Sequence, residues 1–172
     1  AGSGALTENV IDLSGYTAAS YGTYLFVGTG ITQVRLPANL VLSDGMFGDC
    51  MYLTTLGIGS GALTENVIDL SGYTAASYGT QPFIGAGITQ VKLPADIPLS
   101  QYMFYNCPAL HSTFFSGGTA PAIGSNAFSG TSNTAAYVPD SAIGGYEATA
   151  FSQHFTSVQT MQTPSFDTHP QP

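Results

Sequence analysis

Residues 2–23 read GSGALTENVIDLSGYTAASYGT, and the same 22 residues return without a change at 59–80. The offset of 57 (59 − 2) runs on past the identical stretch, since Ile31–Ala38 is ITQVRLPA and Ile88–Ala95 is ITQVKLPA. A long exact period marks a repeat architecture, in which each unit buries its apolar edge against its neighbours.

A finer beat runs inside the unit. Ile31–Pro37 places apolar residues first, fourth and sixth and closes on proline, the pattern of a short strand with one face on a core. Related frames start at Glu8, Ile31, Leu53, Glu65, Ile88, Leu110, Asn133 and Phe155, at spacings of 23, 22, 12, 23, 22, 23 and 22. All but one suit the coil of a leucine-rich repeat, about 20–29 residues. Phe26, Phe47, Phe83, Phe104, Phe128 and Phe151 each fall 16 or 18 residues after a frame start, so they are expected to stack as an interior column.

Residues 53–87 break the rhythm. Either LTTLGI and NVIDLS are separate strands joined by a short coil, or one coil carries an insertion of about twelve residues (65 − 53). The insertion is preferred, with Gly57, Gly59 and Gly61 supplying its turns. The first copy has no LTTLGI element ahead of it, so its coil is expected to present a bare edge. The chain opens at Ala1 inside the repeated unit, as a processed product that has lost any export signal would.

At the other end, Asp140 is placed to cap a short helix over Ser141–Phe151 once Pro139 has closed the last strand pattern. Gly144 and Gly145 weaken that helix by roughly 1 kcal/mol each. Thr163–Pro172 (TPSFDTHPQP) reads as an extended tail. The division expected is a solenoid over 1–161, with duplicated units at 2–58 and 59–115 and closing coils over 110–161, and a proline-rich tail over 162–172.

Val34–Leu53 (VRLPANLVLSDGMFGDCMYL) and Val91–Leu110 (VKLPADIPLSQYMFYNCPAL) share the order strand, proline, then aromatic and cysteine three residues apart, then leucine. With the closing segment AIGSNAFSGTSNTAAYVPDSAIGGYEATAFSQHF, they make the chain resemble the BspA-like leucine-rich repeats of bacterial surface proteins. The coils at Glu8 and Glu65 depart from that pattern, with Glu where Leu is expected and no Cys. The resemblance implies a mainly β, right-handed leucine-rich-repeat solenoid with short strands, long loops and a small C-terminal helical cap. It also implies a non-catalytic, secreted or cell-surface module for adhesion or ligand binding. Its partner would be a host or cell-surface protein or a glycan. A structural protein that assembles with itself through exposed solenoid edges is the alternative.

Composition narrows the partners. Ten acids stand against Arg35 and Lys92 alone, for a net charge of −8. No basic patch is present to neutralise phosphates, which argues against nucleic acid and against anionic lipid. No apolar run approaches the ~20 residues of a membrane span. The glycines form no phosphate-binding loop and no cofactor motif is present. Cys50 and Cys107 occupy equivalent places with at least one coil between them. Stacked strands lie ~4.8 Å apart, so the two sulfurs are out of disulfide reach and are expected free and buried. His111, His154 and His169 share no metal-type spacing, and no metal site is expected. A pairing of His154 with Asp140, or of His111 with Ser112, is left open.

The strand frame also sorts the charges. Asp12, Arg35, Asp69 and Lys92 all take the fifth, outward-pointing place. Asp12 should therefore neighbour Arg35, and Asp69 should neighbour Lys92. The plainer reading is surface pairing that sets register, worth ~0.2–1 kcal/mol per pair. The functional reading is a binding face, continued by Phe114 and Tyr137 at the same place in later coils, with Gln33, Gln90 and Gln159 nearby. The candidate ligand-binding residues are Asp12, Arg35, Asp69, Lys92, Phe114 and Tyr137.

Overall fold

The computed structural model describes residues 10–17, 21–148 and 150–161. The start of the first repeat and the tail expected over 162–172 lie outside the described residues. Eight strands follow one another in chain order: β1 (Val10–Asp12), β2 (Gln33–Leu36), β3 (Thr55–Ile58), β4 (Ile68–Asp69), β5 (Gln90–Leu93), β6 (Ser112–Phe115), β7 (Ala135–Val138) and β8 (Ser157–Thr160). They pair side by side in that order as one parallel sheet. The chain is a β-solenoid, and each of the eight frames contributes one strand.

The register is the one the frames dictate. Ile11, Val34, Leu56, Ile68, Val91, Thr113, Ala136 and Val158, each fourth in its frame, are aligned partner to partner across the sheet. Val34, Leu56, Ile68 and Val91 are fully buried. Shifting any strand by one residue would expose its whole inward set, so burial itself holds the register.

A second backbone ladder runs along the opposite side of the solenoid. Tyr24, Phe26 and Gly28 donate their N–H groups to the carbonyls of Asp44, Met46 and Gly48 at 2.8, 2.9 and 2.9 Å. Gly45, Phe47 and Asp49 donate to Thr80, Pro82 and Ile84, and the pattern continues from Gln81, Phe83 and Gly85 and from Tyr102, Phe104 and Asn106. In each rung the residues two before and two after the phenylalanine have positive φ, as at Tyr24 (57°), Gly28 (66°), Gly45 (59°) and Asp49 (54°). This left-handed pair turns every second N–H towards the next coil. The rings between them stack: Phe26 on Phe47 at 5.3 Å, Phe47 on Phe83 at 5.5 Å, Phe83 on Phe104 at 5.6 Å, and Phe104 on Phe128 at 5.4 Å. Cysteine or threonine three residues on ties this column down. The Cys50 and Cys107 thiols donate to the carbonyls of Phe26 and Phe83, one coil back, at 2.9 and 3.0 Å. Thr29 and Thr131 hydroxyls donate to Phe26 and Phe128 within their own coils. Both cysteines are free and buried.

Three expectations need correction. The preferred insertion within one coil is not what forms, because β3 and β4 are separate, directly paired strands. On the opposite side, Phe47 passes straight to Phe83, so β3 has no rung beneath it. The short return between β3 and β4 crosses the outward face instead: a Cβ placed on Gly57 would meet the Leu63 side chain at 2.7 Å. Secondly, the helix expected over Ser141–Phe151 shrinks to a 3-10 turn at Asp140–Ala142 and a five-residue helix α1 at Ile143–Glu147. Neither start has a side-chain cap, so Asp140 plays no capping part. Two consecutive glycines leave too little propensity to carry the helix further. Thirdly, Phe151 leaves the column. Phe155 takes its place against Phe128 at 4.8 Å, while Phe151 packs edge-on against Phe115 and Tyr146. Fully buried Tyr146 closes this end, its hydroxyl shared between the carbonyls of Gly117 at 3.0 Å and Thr119 at 2.9 Å.

Candidate binding face of the sheet

The fifth place of each frame points away from the core, and the parallel register sets these side chains in a row. Asp12 is paired with Arg35, and Arg35 with Gly57. After the break at Gly57, Asp69 is paired with Lys92, Lys92 with Phe114, Phe114 with Tyr137, and Tyr137 with Gln159. The second run is continuous. With strands ~4.8 Å apart it spans about 19 Å of surface.

Both cations of the protein are engaged. Arg35 Nη1 lies 3.3 Å from Asp12 Oδ2, and Lys92 Nζ lies 3.7 Å from Asp69 Oδ2. The acids have a second task. Asp12 Oδ1 accepts the Ser14 backbone N–H at 3.0 Å and the Ser14 hydroxyl at 2.6 Å. Asp69 does the same with Ser71 at 3.0 and 2.6 Å. The aspartate of each DLS triplet therefore folds back to close the turn after its strand. The Ser14 bonds hold the Asp12 carboxyl below the usual range; burial opposes them, and Arg35 adds to the lowering. This local capping went unrecognised in the sequence reading. The aspartate-to-serine spacing of two was the signal for it.

Phe114 and Tyr137 stack with centroids 4.8 Å apart and planes 17° apart, both half-buried. The next rung offers Gln159 in place of a third ring. A cleft of about 530 Å³ opens there, lined by Phe114, Tyr137, Gln159, Thr160 and Met161. Gln159 is exposed, and its amide nitrogen donates to the Ser157 hydroxyl at 2.9 Å. A flat apolar group slotted beside Tyr137 would extend the stack, with an amide and a threonine at its edge. Aromatic packing of that kind gains ~0.5–1.5 kcal/mol beyond simple area burial.

The remaining candidates come together less well. His111 Nδ1 lies 2.9 Å from the Ser112 hydroxyl, but the pair are chain neighbours without a third group to orient the ring. Among the described residues no bond joins His154 to Asp140. His154 instead borders an apolar groove of about 580 Å³ together with Ala120, Ile123 and Phe151. Among the described residues no three His, Cys, Asp or Glu side chains converge on a point a metal ion could occupy. No helix there is long and apolar enough to cross a membrane.

Comparison with protein families matches residues 20–156 to six copies of a region described as "BspA type Leucine rich repeat region". Comparison with curated proteins gives no match.

Proposed function

The chain belongs to the BspA-type leucine-rich-repeat family, and from that premise we propose that it is a non-catalytic, extracellular or cell-surface adhesion module. Repeats of this family suit protein interaction, and a solenoid offers one long sheet face for it. The ligand is a cell-surface or matrix protein or a glycan, seated on the Asp69–Lys92–Phe114–Tyr137–Gln159 row. The observation that carries this reading is the Phe114–Tyr137 stack beside an open cleft, an outward aromatic pair that the core does not need. Stacked rings left partly exposed on a strand face offer a ligand a flat apolar surface to pack against.

The test is an array of glycans and matrix proteins probed with the native chain and with a Phe114→Ala/Tyr137→Ala double variant. At least one ligand should bind the native chain and lose tenfold or more in affinity with the variant. Silence across a broad array, or binding indifferent to both substitutions, overturns the reading. Phe115→Ala provides the contrast, because that ring points into the core against Tyr146, Phe151 and Phe155. It should cost roughly 3–5 kcal/mol of stability, whereas Phe114→Ala, which gives up only the stack on Tyr137, should cost about 1 kcal/mol.

Self-assembly through solenoid edges is a second reading, favoured by the exposed apolar side chains of the first coil. Light scattering of the native chain across concentration decides it, and a strictly monomeric particle removes it.

A further inference from the structure

The outward row ends in a slot one ring thick. Phe114 and Tyr137 stack at 4.8 Å with planes 17° apart, which is the spacing of the strands that carry them. The Tyr137 face turned away from Phe114 therefore looks over the next partner in register, Gln159. Gln159 does not fill that place. Its amide nitrogen donates to the Ser157 hydroxyl, two residues back on the same strand face, at 2.9 Å. The slot thus lies over β8 itself and is open because of the side chain that stands at the fifth place, with Thr160 and Met161 at its border. Met161 is fixed there by its backbone N–H, which donates to the Val138 carbonyl at 2.8 Å.

The lining selects what can enter. It holds no charged residue. Lys92, the nearest cation in the row, stands two rungs from Tyr137 and is engaged by Asp69 at 3.7 Å. An ionised group would leave water there without a counter-charge, so the slot favours a neutral one. The rung spacing favours a planar one. A ring face and a thioether are both surfaces on which another aromatic ring packs well. A pyranose carries hydroxyls around its rim. Phe114, the face of Tyr137 and Met161 return no hydrogen bond to them, and a hydroxyl buried without a partner is costly.

We propose that the slot receives an aromatic side chain, tyrosine or phenylalanine, from a protein partner, as the third ring of the Phe114–Tyr137 stack. The inference rests on the adhesion reading and narrows it: the ligand on this row is a protein with an exposed aromatic residue, and not a glycan. The incoming ring lies against Tyr137, above the Gln159 side chain, with the Met161 thioether at its edge. Gln159 is then the residue that sets specificity, because an aromatic side chain at this place would close the slot from within.

The experiment titrates the full chain, labelled at its methionine methyls, with N-acetyl-tyrosinamide, N-acetyl-leucinamide and methyl β-glucopyranoside, and follows it by NMR. The tyrosine amide should move the Met161 methyl and the Tyr137 ring with a Kd on the order of 10 mM, and the other two probes should not. Met46 and Met103, fully buried, and Met51, 72% exposed at the turn before β3, are the reference signals. Gln159→Phe, which sets the chain's own ring in the slot, should weaken the tyrosine amide tenfold or more while the melting midpoint holds or rises. Tyr137→Ala, which takes away the ring face, should weaken it as much. The proposal is overturned if the glucoside moves the same signals as well as the tyrosine amide does, if Met51 responds equally, or if both variants bind as the native chain does. An array ligand lost with Phe114→Ala/Tyr137→Ala but kept by Gln159→Phe leaves the adhesion reading standing and removes the aromatic slot. A silent array, with the tyrosine amide bound at Met161, removes the adhesion reading and leaves the slot's choice of ring standing.

Discussion

The Cys107 thiol donates to the Phe83 carbonyl at 3.0 Å, one coil behind it, and is fully buried. Burial pushes this thiol up to about 12, and pushes up the Cys50 thiol and the Tyr73, Tyr78 and Tyr146 hydroxyls as well. All are acids whose folded pKa lies above the unfolded one. Their contribution is therefore complete below about pH 9 and is lost as pH rises towards the folded values. The melting midpoint should fall steadily between pH 9 and 11, and Cys107→Ser should flatten part of that fall. At pH 8 neither thiol should react with iodoacetamide until denaturant is added, as mass spectrometry would report. Rapid alkylation of the native chain would show that the stacked coils do not exclude solvent.

Asp12 makes the opposite acid-side prediction. Its folded pKa is lowered, so its contribution is present above the unfolded carboxyl value and is lost as pH falls through the folded one. Ser14→Ala, which removes the hydroxyl bond but keeps the backbone one, should raise the Asp12 midpoint in an NMR titration, and Arg35→Gln should raise it as well. An Asp12 midpoint indifferent to Ser14→Ala would mean that the turn does not set this carboxylate. Arg35→Glu should lower stability by about 0.5 kcal/mol, diminishing in high salt. No effect at all would contradict the Asp12–Arg35 register.

Gly87 and Gly30 are counterparts with different neighbours. A Cβ on Gly87 would run into the Met51 carbonyl, while one on Gly30 meets nothing within 4 Å. The backbone cannot yield there, because Gly87 also donates its N–H to the Cys50 carbonyl at 3.1 Å. Gly87→Ala should cost about 3 kcal/mol, and Gly30→Ala less than about 0.5 kcal/mol. Chemical denaturation of both variants checks this, and equal costs would refute the difference in packing.

Much of the fold could be read directly from the residues. The alternation of apolar places marks the strand frames and their register outside the interval at 53–64, since each short strand buries one face and a slip of one residue inverts it. The two charge pairs follow from that register. The second ladder could not be read in the same way. Its left-handed positions are held by Tyr24, Gln81, Tyr102 and Asn126 as well as by glycine, because hydrogen bonds from the adjoining coil impose the conformation. The interval at 53–64 satisfies two readings equally on pattern alone, and the choice rests on whether a rung exists on the far side. Phe151 falls 18 residues after its frame start, as Phe26, Phe83 and Phe128 do, yet the glycine-weakened cap redirects it. In the candidate site, the outward aromatic row was legible. The cleft beyond Tyr137 was not, since it depends on how the last coil lies.

Removal of residues 53–64 tests the interval itself. Tyr52 would join Glu65, β2 would pair with β4, and the Phe47–Phe83 contact would remain. The shortened chain should still fold and melt cooperatively, with a midpoint lower by about 10 °C for the lost burial of Leu53 and Leu56. Circular dichroism follows both. A chain that fails to fold would show β3 to be integral to the column and not an addition to the sheet.

The presence of β3 without a rung beneath it also has a consequence for shape. Between β2 and β4 the sheet side is two strand spacings long, while the far side advances by a single coil from Phe47 to Phe83. The axis must bend there by the difference, about 4.8 Å over the thickness of the solenoid, with the sheet on the outside of the curve. The strand surface is thus locally convex, and the Asp12–Arg35 and Asp69–Lys92 pairs are splayed apart across Leu63. A partner gripping both pairs would have to be concave itself, whereas the flatter run from Asp69 to Gln159 can meet a ligand that brings no cradle of its own.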